Sequence, residues 1–198
     1  TRQSIRLGYW MDWDNSYYTM SDENNYTIWH FLKVCHERGW IYEGTDVMPW
    51  CPRCGTGLSQ QEVVTEGYRE IVHPGLYVKF PLLDRKGESL LVWTTTPWTL
   101  TSNTGAYVHP KLTYVKVRTD DGVLFLLKSR LSELQRQYEV LEEMPGTALD
   151  GLRYRGPFDE LPAQRGVDHR VVLWEEVSES EGTGIVHTAP GAGAVDFQ

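Results

Sequence analysis

A mainly β protein, barrel-like at its core and carrying a few peripheral helices, is the fold class this sequence predicts, and three observations predict it. From residue 67 onward, short runs rich in β-branched and aromatic residues recur, each broken by Pro, Gly or Asp. Sustained helical periodicity is confined to the first 45 residues, with one further short stretch at 129–138. The composition, 40% hydrophobic with 8 Trp and 11 Tyr in 198 residues, is that of a globular chain with ample material for a packed core.

The elements follow in order. Ser21-Asp22-Glu23 precedes Ile28, Phe31, Leu32 and Cys35, spaced i, i+3, i+4, i+7, and Gly39 follows. An acidic start, an apolar stripe and a terminal Gly predict an amphipathic helix over roughly residues 22–38. Val47-Met48-Pro49-Trp50-Cys51-Pro52-Arg53-Cys54-Gly55 is a turn-rich knuckle. Candidate strands are Leu76–Phe80, Leu90–Thr95, Tyr114–Arg118, Leu124–Lys128, Val171–Val177 and Gly184–Thr188. Ser129–Tyr138 reads as one short helix with Leu131 and Leu134 on a face. Short strands at this spacing predict a closed or nearly closed barrel rather than a βαβ sheet. The organisation expected is a helical linking segment at 1–45, a knuckle and linker at 46–66, and a β domain at 67–198, with the boundary near residues 57–67.

Charge and composition exclude several classes. The formal net charge is −8, so a whole-surface nucleic-acid binder is excluded and any RNA contact is local. No apolar run approaches the roughly 18–20 residues of a membrane span, and Thr1–Asp14 has no basic-then-apolar signal pattern. Three Cys, two of them close together, are no disulfide framework and fit a reducing cytoplasm.

Cys51-x-x-Cys54 sits on a Pro- and Gly-bearing turn, as in a zinc knuckle. A structural zinc site takes four protein ligands. The only other Cys, Cys35, is core-facing in the predicted helix beside His36, and no second pair is arranged, so the motif reads as half a site. Without a βαβ context a thioredoxin-like redox role is disfavoured.

Two stretches stand out. Trp93-Thr94-Thr95-Thr96-Pro97-Trp98-Thr99-Leu100-Thr101-Ser102-Asn103 puts six hydroxyls within nine residues of a strand that Pro97 must end. Alternation places Thr94 and Thr96 on one side and Thr95 on the other. Such a surface orders water or a ribose without supplying charge; three Thr alone would be ordinary strand-formers. Glu181-Gly182-Thr183-Gly184-Ile185-Val186-His187-Thr188-Ala189-Pro190-Gly191, followed by Asp196, carries Gly for close backbone approach and a His on an apolar strand. A lone His there is usually a satisfied core residue. The two stretches gain meaning together.

Together they resemble the editing domain of isoleucyl-tRNA synthetase, the connective peptide inserted in a class I catalytic domain. WTTTPWTL, followed by Ala106-Tyr107-Val108-His109-Pro110, is similar to the threonine-rich editing signature; the valyl and leucyl relatives carry TTRP, where this chain has Thr96. GTGIVHTAP with an Asp nine residues beyond its His resembles the other half of the pocket. The knuckle and Gly55–Val63 also match that family, in which a second CxxC, beyond residue 198, would complete a zinc site. Thr101 stands where the family usually has Pro, and Gly191–Val195 replaces a bulkier, more acidic stretch, predicting a looser loop before Asp196. No segment resembles the HIGH or KMSKS motifs of the ATP site, and the chain ends before the family's editing domain does.

The resemblance implies post-transfer editing, the hydrolysis of the ester joining valine to the terminal adenosine of isoleucine tRNA. Valine lacks one methylene of isoleucine, and a hydrophobic pocket discriminates by only about 1–3 kcal/mol per methylene, a limit for which this synthetase is itself the standard example. By resemblance Thr94, Thr95 and Thr96 line the adenosine and ester region, Thr96 positions water, Asp196 pairs with the α-ammonium, and His187 borders the side-chain pocket. No Ser-His-Asp set and no complete metal site is present, which disfavours covalent or metal-hydroxide routes. Editing then needs no cofactor, with zinc expected at Cys51 and Cys54 only in the full-length protein. The implied partners are the aminoacylated 3′ end of isoleucine tRNA, its valine moiety and the rest of the synthetase, with no membrane. The competing readings are a non-catalytic zinc-dependent RNA-binding or structural module and a free-standing esterase.

Overall fold

The computed structural model describes residues 1–67, 69–72 and 74–197. The chain divides into two compact units, Thr1–Thr45 and Asp46–Gln198.

In the first unit, α1 (Arg2–Arg6) precedes α2 (Asp22–Glu37). The Ser21 side chain caps α2 by accepting from the Asn24 N–H at 3.3 Å, and Asp22 and Glu23 complement the positive helix start. Gly39, at φ +71°, follows the C-cap. Of the apolar stripe only Cys35 is buried; Ile28, Phe31 and Leu32 stay 49, 64 and 37% exposed. A unit of this size cannot enclose a helix face by itself.

The second unit opens with β1 (Trp50–Cys51) and β2 (Thr56–Gly57), paired antiparallel across the knuckle, then α3 (Gln60–Glu62) with a Ser59/Glu62 capping box. Eight further strands follow: β3 (Leu76–Pro81), β4 (Glu88–Thr94), β5 (Gly105–Val108), β6 (Thr113–Thr119), β7 (Gly122–Leu127), β8 (Glu139–Pro145), β9 (Arg170–Leu173) and β10 (Ile185–Thr188). The short helix α4 (Ala194–Phe197) comes last.

These strands make a five-stranded sheet, β3-β4-β7-β6-β8, and a three-stranded sheet, β10-β5-β9. The mainly β reading stands, but among the described residues there is no closed barrel. Closure needs an unbroken ladder around the ring. Here β4 runs parallel to β7 only over Glu88–Leu90, so its C-terminal half parts from β7 while staying paired with β3. Single bridges, Leu82↔Tyr154 and Arg153↔Arg170, link the strands beyond. Beside the diverging end of β4, the Leu127 N–H donates to Thr183 O and the Tyr114 O–H to Gly184 O, bringing in the start of β10.

The main core includes Phe80, Leu90, Val92, Val108, Tyr114, Phe125, Leu127 and Tyr154. A smaller cluster, Leu91, Val115, Val117, Leu124, Leu126 and Leu134, covers the other face of the five-stranded sheet. β7 thus reads as an unbroken apolar run because it is buried on both sides.

Several elements differ from expectation. The helix expected at 129–138 is reduced to tight 3-10 turns over Lys128–Glu133, with Leu134 extended. Drawing both Leu131 and Leu134 onto the smaller cluster favours three residues per turn. The strand expected to reach Val177 ends at Leu173, before a turn at Glu175–Glu176. β5 and β8 were not legible as strands. No described helix is long and apolar enough to cross a membrane.

Candidate functional site

β4 delivers Thr94 to the end of its ladder, and Pro97 opens a 3-10 turn, Pro97–Ser102. Pro has no N–H for a ladder and a φ suited to a first helical turn, so the chain folds over there. The Thr96 N–H donates to Thr94 Oγ1 at 3.1 Å, and the Thr94 and Thr96 hydroxyls lie 3.4 Å apart. Thr95, just past the end of β4, takes no part in this pair of hydroxyls and is exposed.

Thr99 extends the chain of hydroxyls. Its Oγ1 lies 3.4 Å from that of Thr96, donates to Thr96 O at 2.7 Å, and meets His187 Nε2 at 2.9 Å. A hydroxyl has one proton. Since the Thr96 carbonyl can only accept, Thr99 accepts from His187, and the ring carries its proton on Nε2. His187 Nδ1 is buried and has no hydrogen-bond partner among the described residues. Burial pushes the imidazole pKa down, opposed by the Asp196 carboxylate and the Thr188 backbone, so the ring is neutral at neutral pH.

Asp196 comes from α4, near enough for its carboxylate to act on the His187 ring. Its Oδ2 accepts from the Ala189 N–H at 2.9 Å, and the Ala192 N–H closes the turn onto Ala189 O at 2.8 Å. The Gly-rich stretch, expected to be loose, is a closed turn pinned by the carboxylate it precedes.

Thr94, Thr95, Thr96, His187 and Asp196 all line one cavity of about 350 Å³. Sequence reasoning placed no emphasis on Thr99, although its spacing of three after Thr96, across a Pro-initiated turn, is the signal that marks it. It named Trp93, Glu181 and Gly182 within the two stretches but gave them no role, and it missed Glu176; Glu176 and Glu181 join Asp196 as the acidic lining. No Lys or Arg is among the described lining residues. Asn103 is a further support. Fully buried, it donates to Gly105 O at 2.9 Å and accepts from the Tyr154 hydroxyl at 2.8 Å, tying the end of the threonine turn to β5.

The knuckle presents two thiols on one turn. The Cys54 N–H donates to Cys51 Sγ at 3.4 Å, the Gly55 N–H to Cys51 O at 2.8 Å, and Gly55 has φ +67°. Hydrogen bonds from Cys54 lower the Cys51 pKa, and the same contact raises that of Cys54. This donor set fits two corners of a tetrahedral site. Among the described residues no group of three or more His, Cys, Asp or Glu side chains is arranged to hold a metal ion. Cys35 lies in the first unit.

A cavity between diverging strands, lined by hydroxyls and carboxylates, sits on a fold with known counterparts. The chain belongs to the class I tRNA synthetases (I, L, M and V), whose family profile matches residues 1–153. Within that class it is similar to isoleucine–tRNA ligases. It is 43% identical to that of Methanothermobacter thermautotrophicus over 202 residues, 100% of this chain and 19% of that protein. The Thermus thermophilus ligase is also 43% identical, over 98% of this chain and 19% of its own length. The chain thus spans about a fifth of these curated relatives, 19% of each. Its fold resembles the crystal structure of GlLeuRS-CP1, with TM-score 0.53 and 18% identity over 63% of this chain and 57% of that one. The P. knowlesi cytosolic leucyl-tRNA synthetase editing domain gives TM-score 0.50 and 16% identity, over 62% and 59%. Alignment of the whole chain with isoleucine ligases, together with this fold, matches a connective-peptide insertion.

Proposed function

We propose that this cavity hydrolyses the ester of valine mischarged onto isoleucine tRNA. The observation that supports it best is the continuous array Thr94–Thr96–Thr99–His187 facing a cavity whose charged lining groups are carboxylates.

An aminoacyl ester is already activated, so holding water and the ester in register supplies much of the rate. The hydroxyls of Thr94, Thr95 and Thr96 bind the terminal ribose and ester, and Thr96 holds the attacking water. Developing charge on the carbonyl oxygen is met by hydroxyl dipoles rather than a cation. Asp196 is oriented by the Ala189 N–H and pairs with the α-ammonium of the substrate. The neutral His187 ring, fixed by Thr99, fills the space that the extra methylene of isoleucine needs.

The partners on this reading are the aminoacylated 3′ end of isoleucine tRNA and the rest of the synthetase, which covers the exposed apolar face of α2. Cytoplasmic residence accompanies it. Zinc, where the full-length protein holds it, is bound by Cys51 and Cys54 with ligands supplied from elsewhere and serves structure. The test is to incubate the chain with valyl- and isoleucyl-tRNA of the isoleucine type and follow deacylation. Valyl ester is expected to be cleaved and isoleucyl ester spared. RNA binding without cleavage would favour the non-catalytic module.

A further inference from the structure

Part of the cavity lining, residues 181–184, is backbone in conformations that only glycine holds without strain. Gly182 and Gly184 lie at φ +61° and +72°. An added Cβ at Gly182 would stand 2.7 Å from Trp93 Cε3, and one at Gly184 2.5 Å from Leu127 Cβ. The chain therefore passes hard against β4 and β7, with the Ser180 and Gly182 carbonyls turned toward the β7–β8 connection.

One side chain there takes two of them. Arg130 Nε donates to Gly182 O at 2.9 Å and Nη1 to Ser180 O at 3.2 Å. Its Nη2 donates to Glu133 Oε1 at 2.6 Å, while the other oxygen of that carboxylate accepts from the Tyr77 hydroxyl at 2.5 Å. Arg130 and Glu133 are mostly shielded, at 22 and 27% side-chain exposure. Arg130 also interrupts the 3-10 turns, at φ −106° and ψ 15°, which aims its guanidinium at the loop. A planar guanidinium spans two carbonyls and a carboxylate at fixed angles; an ammonium does not.

We infer that Arg130 is a positioning residue of the cavity: its guanidinium, oriented by Glu133, clamps the 180–182 backbone against Trp93 and so fixes the part of the cavity lining formed by Glu181 and Gly182. The inference rests on the proposed ester hydrolysis for its kinetic consequence, but not for its structural one. Arg130 does not line the cavity, so it acts on substrate binding through that lining and leaves the water-holding threonines in place.

The experiment compares Arg130→Lys and Glu133→Gln with wild type in the 198-residue chain. Thermal midpoints, amide hydrogen exchange of the 178–184 segment, and kcat and KM on valyl-tRNA are measured. Arg130→Lys keeps the charge and the Glu133 pair but loses the fork. It is expected to speed exchange in 178–184 and raise KM about ten- to a hundredfold, with kcat near wild type and a small loss of melting temperature. Glu133→Gln, which retains an acceptor for Arg130, is expected to give a smaller change of the same kind. Unchanged exchange, or a loss confined to kcat, would overturn the inference; so would a loss that merely follows the unfolded fraction. If wild type cleaves no valyl-tRNA while Arg130→Lys still loosens 178–184, the hydrolysis reading fails and the clamp stands.

Discussion

Replacing His187 with Ala separates a gate from a general base. A base needs a lone pair facing the water. In His187, Nε2 carries the proton and donates a hydrogen bond to Thr99 at 2.9 Å, while Nδ1 is buried and has no partner among the described residues. Neither nitrogen is placed to take a proton from a water held at Thr96, so the ring is read as volume. His187 is 8% exposed at the edge of a cavity of about 350 Å³, and deleting the imidazole frees several methylenes' worth of room. At about 1–3 kcal/mol per methylene, isoleucyl-tRNA deacylation should rise roughly ten- to a hundredfold toward the valyl rate. Truncating a large buried side chain costs about 2–5 kcal/mol, so the assay is run well below the melting transition of the variant, checked by circular dichroism. Single-turnover deacylation of both tRNAs decides it. Loss of valyl-tRNA hydrolysis by about 10²–10⁴-fold with no isoleucyl gain would refute the gate and install a general base.

Other outcomes follow from the same geometry. Because burial lowers the His187 pKa below its ordinary 6.5, the unfolded state binds the proton more tightly, so this contribution to stability is present above about pH 6.5 and is lost as pH falls. The melting temperature should therefore drop between pH 7 and 5, and His187→Gln should drop less; equal slopes would remove the burial argument. Asp196→Asn keeps an acceptor for the Ala189 N–H but removes the charge, so kcat/KM for valyl-tRNA should fall by about 1.5–3 kcal/mol equivalent, while an N-blocked valyl ester, already poor, should not worsen. Gly182→Ala forces a Cβ at φ +61° to within 2.7 Å of Trp93 and should destabilise the chain by about 1–3 kcal/mol in urea unfolding. Zinc bound through Cys51 and Cys54 should be substoichiometric and removed by a chelator without moving the main melting transition; tightly held stoichiometric zinc would reveal further ligands.

The strands that could be read from sequence are those whose pattern carries the fold's geometry. β4 and β7 are buried on both faces and show it as dense apolar runs. β8 hides because it is an edge strand, with Glu139, Glu142 and Glu143 among its residues and only Met144 buried. β5 hides because Gly105 and Ala106 are small where the strand is covered. The absence of a closed ring was invisible, since whether β4 follows β7 for three residues or for seven is a matter of partner, not of local pattern. At the site, alternation was enough to pair the Thr94 and Thr96 hydroxyls, but not to show that Thr95 lines the same cavity. The contact between Thr99 and His187 joins positions 88 apart, and Arg130 reaches a loop about 50 residues away. No local period encodes either, so Thr99 looked like one hydroxyl among six.

The lining, without Lys or Arg among the described residues, also bears on how an acidic chain could act on tRNA. On the proposed reading the group entering the cavity is a valyl ester on a ribose, whose charge near the reacting carbon is the α-ammonium. Three carboxylates, Glu176, Glu181 and Asp196, favour that ammonium. The same carboxylates repel phosphate, so the RNA backbone stays outside and only the terminal nucleoside enters. Affinity for whole tRNA from this chain alone is then expected to be weak, with a shallow dependence on salt, because few phosphates are neutralised. A filter-binding series between 50 and 200 mM salt tests it. Submicromolar binding that collapses across that range would place a cationic RNA track on this chain and undo the argument from the net charge of −8.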